Sequence, residues 1–182
     1  KMTREVYIAV VGPSAGTPAE LAIGEAVGRG VAEAGGVLVC GGMGGVMESA
    51  AGGCADAGGR SVGILPGDSR LDANPYLTVA VATGMGEARN AIVVRTADVV
   101  IAVRGEFGTL SEIALALKMG KPVVGIGTWE FGKEGEKGVD QIAAVLEGLN
   151  PLRVVHVVFV LDFADQLLQQ ILEGDDSAQG TV

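Results

Sequence analysis

The chain has 182 residues, 48% hydrophobic but only 4% aromatic, with 30 glycines and a formal net charge of −9. The length predicts one domain with a proper core, and the acidic balance excludes a general nucleic-acid or anionic-membrane surface, which needs clustered Lys and Arg. No apolar run approaches the roughly 20 residues of a membrane span and no signal-peptide pattern precedes Val6, so a cytoplasmic protein is expected.

Val6 to Val11 (VYIAVV) reads as a buried strand, followed by the glycine turn Gly12–Gly16 (GPSAG). Thr17-Pro18 with Glu20 predicts a capped helix start, and that helix runs to a stop at Gly35-Gly36. Val37 to Cys40 is a second strand, running into the glycine-rich turn Gly41–Gly45 and a small-residue helix over 46–57. Ser61 to Leu65 forms a third strand, 68–75 a loop, and Leu77 to Val81 a fourth strand. A helix is expected over Glu87–Thr96 with Ala88, Ile92 and Val93 as its buried face, then a fifth strand over Val99–Val103. After the turn at Gly105 and Gly108, apolar residues at Leu110, Ile113, Ala114, Leu117 and Met119 predict another helix, and Pro122 to Ile126 a sixth strand. Beyond it come a charged loop over 128–138, a helix over 139–149, a strand over 154–160 and a helix over 163–172 capped by Asp162. Strands alternating with helices predict an α/β fold: a Rossmann-like, doubly wound, mainly parallel sheet of about six or seven strands with helices on both faces, in three layers. Residues 1–173 make the single domain, and 174–182 have the composition of a flexible tail.

In open parallel sheets ligands bind at the carboxyl ends of the strands, and four segments put polar or glycine-rich chemistry there: Gly12–Gly16, Gly41–Gly45, Thr83–Asn90 and Gly105–Glu112. The phosphate-binding candidates are Gly12 and Ser14 in the first segment, Gly41, Gly42 and Gly45 in the second, and Gly105, Gly108 and Thr109 in the last. Glycines permit close approach of the backbone to a ligand, and the free N–H groups of a helix start attract an anion. Thr109 can cap the new helix and offer its hydroxyl. Glu112, three residues later, is then either the acid of a capping box or a catalytic carboxylate. Arg89, at a helix start, is either a solvated residue or a guanidinium that pairs with a ligand phosphate or carboxylate. Arg104 can reach the same phosphate or lie on the surface. Trp129 can cover the site or be half buried.

The turn GPSAG is not GxGxxG, and no acidic residue ends the second strand, which argues against a dinucleotide fold; GxxxxGK[ST] is absent. Cys40 and Cys54 read as reduced, packed thiols, and the single histidine, His156, as structural. No metal site is expected.

The stretch AVRGEFGTLSE resembles the PGGxGTxxE signature of the LOG (Lonely Guy) family, long labelled "lysine decarboxylase-like", with Gly105, Gly108, Thr109 and Glu112 matching and Arg104 and Glu106 departing from it. GGMGGVMESA followed by GGRSVGILPG resembles the glycine-rich region of the same family, with Gly41, Gly42, Gly45 and Met47 in place. The family arginine falls on Arg89, and the lysine that follows it there is Asn90 here. No lysine is placed to hold pyridoxal phosphate, so the decarboxylase label has no support in these residues. Within this superfamily (SLOG) the form GEARNAIVVRTAD with GTLSEIALALKMGKPVV is closest to the branch of the molybdenum cofactor carrier proteins.

The resemblance implies a phosphorylated nucleotide- or pterin-type ligand, such as an AMP-like nucleotide or molybdopterin, held on the Gly105–Thr109 turn with no further cofactor required. It implies either a carrier that only binds this ligand, the reading favoured by Glu106 and Asn90, or a phosphoribohydrolase. The latter would cleave the N-glycosidic bond of nucleoside 5′-monophosphates with Glu112 and Arg89 as catalytic residues. A homodimer or larger homo-oligomer is also expected, with no nucleic-acid or membrane partner.

Overall fold

A computed structural model of the chain describes residues 5–128. Trp129, His156, the loop from 129, the later helices and strand and the tail expected above lie outside the described residues.

Six strands, β1 Tyr7–Val11, β2 Val37–Cys40, β3 Arg60–Leu65, β4 Val79–Ala82, β5 Val99–Val103 and β6 Val123–Ile126, form one sheet in the order β4-β3-β2-β1-β5-β6. Every pairing is parallel. The four α-helices among the described residues are α1 Pro18–Glu33, α2 Val46–Asp56, α3 Asn90–Thr96 and α4 Phe107–Lys118. Because side chains alternate along a strand, the sheet feeds two cores. Ile8, Val10, Leu38, Val99, Ile101 and Val103 pack with Ile23, Val27 and Val31 of α1 and Val46, Ala50 and Cys54 of α2. Ala9, Val11, Val39, Val100 and Ala102 pack on the other face with Val93 and Val94 of α3 and Ile113 and Ala116 of α4. These are the three expected layers, and each fully buried Val, Leu or Ile contributes about 1.5–3 kcal/mol.

The start of α1 follows its sequence. Thr17 Oγ1 accepts from the Glu20 N–H at 3.4 Å, and the Glu20 carboxylate accepts from the Thr17 N–H at 2.7 Å, closing the capping box. The small residues of α1 and α2 serve close packing. A methyl built on Gly28 would stand 1.9 Å from the Ala50 carbonyl oxygen, so the two helices touch backbone to backbone. That is how helices with so few large side chains still pack closely where they cross.

Two helices start elsewhere than the apolar spacing predicts. The expected helix over 87–96 divides into a 3₁₀ turn, Gly86–Arg89, and α3 proper, and its buried residues are Arg89, Asn90, Val93 and Val94, with Ala88 exposed. In α4 the buried stripe is Thr109, Glu112, Ile113 and Ala116, at helical spacing but half polar, while Leu117 is exposed. Both polar stripes lie near the carboxyl edge of the sheet. The β1–β5 neighbourhood there is the switch point of the topology: β1 pairs with β2 on one side and with β5 on the other, and ligands of open parallel sheets bind in that crevice.

Gly28→Ala is predicted to lower the free energy of unfolding by about 2–3 kcal/mol, the upper range of overpacking costs, read as a lower urea midpoint at unchanged slope. An unchanged midpoint would mean that α1 and α2 separate without cost.

Candidate functional site

The site is built around Arg89. The side chain leaves the 3₁₀ turn before α3 and packs against the end of β2, where a methyl on Gly41 would stand 2.2 Å from Nη1 and 2.7 Å from Cζ. Any residue but glycine at position 41 would displace the guanidinium. Arg89 is only 7% exposed. Its Nη1 lies 3.7 Å from Oε1 of Glu112, too far for a hydrogen bond, and its buried Nε has no hydrogen-bond partner among the described residues. A buried cation with an unused donor is costly to maintain.

Glu112 is 6% exposed. Burial pushes its carboxyl up to about 7, against the pull of Arg89 and with a smaller push from the Glu87 carboxylate. Cys40, at the end of β2, is pushed up to about 11 by burial, opposed by the Gly42 backbone and Arg89. Its thiol is therefore neutral and not a nucleophile.

Of the two alternatives for Glu112, the capping box with Thr109 does not form. The helix begins at Phe107, its N-cap is Glu106 without a side-chain cap, and Thr109 is 2% exposed within the helix. The reason lies at Gly105, whose φ of +142° turns the chain into the helix early and lays Thr109 against the turn; a methyl there would stand 2.6 Å from Thr109 Cβ. Arg104 before it sits at φ +50°, a left-handed conformation costing a non-glycine residue about 1 kcal/mol or more. Its N–H donates to the Ile126 carbonyl at 2.8 Å.

Gly108 differs from the other glycines here. A methyl on it would meet nothing within 4 Å, and its φ is not in the left-handed region. Neither packing nor backbone conformation within the described chain demands a glycine in this helical position, which leaves open space over the first turn of α4. Its carbonyl accepts from Ser111 Oγ at 2.7 Å, and Ser111 Oγ accepts from Asn90 Nδ2 at 3.1 Å. Asn90, 4% exposed, thus ties the start of α3 to the first turn of α4.

Gly41, Arg89 and Glu112 form one contact set; Gly105, Thr109 and Gly108 form the adjoining turn. Gly12 lies between β5 and α2, where a methyl would meet Val46 and the Val103 carbonyl. A cleft of about 440 Å³ lies beside the Gly105 turn, lined by Pro13, Ala15, Glu20, Arg104, Gly105, Glu106, Gly127 and Thr128; Arg89 and Glu112 are not among its lining residues. Gly45 and Ser14 are further off. Gly45 stands against the backbone of Pro13 and Ser14, and both border a separate cleft of about 540 Å³ between α1 and α2 that carries Glu25, Glu48 and Asp56. Those carboxylates disfavour a phosphate there. Gly42 is held from the far side: its carbonyl accepts from the Asn74 N–H at 3.0 Å, and Asn74 Nδ2 donates to the Met43 carbonyl at 3.2 Å. Ser111 and Asn74 escape a sequence reading; the one signal is the turn dipeptide Asn74-Pro75. Among the described residues no group of three or more His, Cys, Asp or Glu is placed to hold a metal ion, and no helix is long and apolar enough to cross a membrane.

The model of the SLOG cluster4 family matches residues 5–150. The chain belongs to that family. Among solved structures it is similar to the molybdenum cofactor binding protein of the phototrophic bacterium Rippkaea orientalis, at 34% identity and a TM-score of 0.69 over 88% of this chain and 99% of that one. It is also similar to the molybdenum cofactor carrier protein of Chlamydomonas reinhardtii, at 30% identity and a TM-score of 0.68 over 91% of this chain and 99% of that one. An uncharacterised protein of Archaeoglobus fulgidus is 49% identical over 100 residues, 55% of this chain and 66% of that protein's length. These likenesses bear out the SLOG resemblance, the carrier-like branch and the Rossmann-like fold.

The state of Glu112 gives a stability prediction. A carboxyl raised in the folded protein binds its proton more tightly than in the unfolded chain, so stability falls as pH rises from about 4.5 towards about 7. In Glu112→Gln that decline is expected to be smaller, the variant gaining on the wild type across this window in urea titrations. Parallel pH profiles would refute the burial-driven shift.

Proposed function

We propose that this chain binds a phosphorylated small molecule of nucleotide or pterin type, molybdopterin being the representative its similarities support, at the carboxyl edge of the sheet between Arg89 and the Gly105–Thr109 turn. The observation that carries the reading is the buried Arg89 Nε, without an acceptor among the described residues, together with the start of α4, whose Gly108 leaves open space. A phosphate suits both: its oxygens accept from the guanidinium and from the first N–H groups of α4, with the helix dipole adding to the attraction. The residues present therefore fit the phosphate of such a ligand. Gly41, Gly12 and Gly105 shape this edge, while Ser14, Gly42 and Gly45 stand as supports of the turns rather than as direct contacts.

A second reading keeps the same site and adds phosphoribohydrolase chemistry. It is favoured by one observation, that Glu112 is buried beside Arg89 and is not a helix cap. A carboxylate there can stabilise an oxocarbenium-like sugar or activate water as the N-glycosidic bond breaks. Self-association belongs to the proposal as well, supported by Phe107 and Leu117 of α4, apolar yet 88% and 45% exposed. Light scattering is expected to read a mass of two or more chains.

AMP is expected to raise the melting temperature of the wild type while adenosine does not; ligand at one hundred times its Kd adds about 2.7 kcal/mol. Gly108→Val, whose side chain occupies the open space, is expected to fold and to lose the AMP response. An undiminished response in this variant would overturn the site. Release of adenine and ribose 5-phosphate that vanishes in Glu112→Gln would establish the second reading.

A further inference from the structure

Resting on the binding reading above, we infer that Arg89 and Glu112 form a proton-linked gate, in which an oxyanion is accepted at the free Nε of Arg89 with uptake of one proton by Glu112. The geometry is that of one buried cation with a carboxylate near Nη1 and an unused donor at Nε. Glu112 Oε1 lies 3.7 Å from Nη1, and each side chain is only 8% exposed, so little water screens them. Nε, also buried, has no partner among the described residues. On one side the guanidinium packs against Gly41, where a methyl would stand 2.2 Å from Nη1.

An arriving oxyanion would place a second negative charge around this single guanidinium in a site of low polarity. The groups facing Glu112 offer no compensation. Glu87, on the turn that bears Arg89, adds repulsion. Cys40, from the end of β2, is a neutral thiol held so by burial. Asn90 and Ser111, which join α3 to α4, are uncharged and bonded to one another. A proton on Glu112 would remove one of these negative charges. Glu112 is already disposed to take it, since burial brings its titration close to neutrality. Once protonated, its carboxyl changes from a competitor of the ligand for Arg89 into a hydrogen-bond donor. By linkage, the ligand must then raise the affinity of Glu112 for its proton by the same factor that the proton raises affinity for the ligand.

The test is calorimetric titration of AMP into the full chain at pH 8 in two buffers of different ionisation enthalpy, with Kd followed from pH 6.5 to 9. The wild type is expected to take up close to one proton per AMP at pH 8, and its affinity to fall roughly tenfold per pH unit above about 7. Glu112→Gln is expected to take up none and to bind more tightly than the wild type at pH 8.5, with a flat profile; it also controls for titration of the AMP phosphate. Binding by the wild type without proton uptake overturns the gate and leaves the binding reading intact. Failure of AMP to bind either protein overturns the reading, and the gate with it. Loss of AMP binding in a folded Glu112→Gln variant overturns the gate in favour of a direct contact from the carboxylate. The wild-type heats decide the matter without the variant if it does not fold.

Discussion

One constraint organises the carboxyl edge of this sheet: a guanidinium buried where it is only partly satisfied. Arg89 has a carboxylate beyond hydrogen-bond reach and a donor with no acceptor among the described residues. Such an arrangement survives only if the surroundings over-determine it. The bare Cα of Gly41 supplies the space, the 3₁₀ turn fixes where the side chain departs, and Asn90 anchors the adjoining residue through Ser111 to the Gly108 carbonyl. Remove the glycine and the guanidinium is pushed out. Remove the amide and the two helix starts lose their tie. The charge is thus held by backbone geometry and neutral hydrogen bonds, not by a strong ion pair, and it stays available to something else.

The fold around this point is built to leave that edge free. Apolar contact is concentrated in the body of the sheet, where β1 and β5 are buried nearly throughout, and in the backbone-to-backbone packing of α1 on α2. On the other face, Ala9 and Ala102 are the small strand residues beneath α3 and α4. The sheet and these helices hold the carboxyl-end turns without relying on contacts inside the site, so polar groups there can be arranged for a ligand at some cost in stability.

Most of the fold was legible because its signals are local: buried apolar strands, the Thr17–Glu20 capping box, glycine turns at strand ends. Arg89, Glu112 and the glycines at 41, 105 and 108 also stood out as chemistry at the right edge. The misread features share one cause. Thr109 and Glu112 fit a capping box by spacing and polarity, and a sequence rule that assigns polar residues to caps and surfaces has no means of placing them on a buried stripe. Their burial follows from Gly105, which starts the helix early. The same error displaced the inward face of α3, where Arg89 and Asn90 are buried and Ala88 is exposed. The tie from Asn90 to Ser111 spans 21 residues and depends on how α3 and α4 meet, which no local pattern encodes.

An acidic chain with a net charge of −9 is an unpromising partner for an anion only if the long-range field decides. At physiological ionic strength that field is screened over about 8 Å, so it slows the approach of an anion more than it weakens a contact already made in a dry site. Within the site the sum is set by few groups. Arg89, with Arg104 beside the Gly105 turn, stands against Glu112 and Glu87, and Glu106 sits at the N-cap of α4, where a carboxylate competes with a ligand for the positive end of the helix. A phosphate is therefore attracted by directional donors and not by an excess of positive charge. Discrimination then rests on geometry: an oxyanion that reaches Nε and the first turn of α4 together gains both sets of donors, while one that reaches neither meets a surface of its own sign.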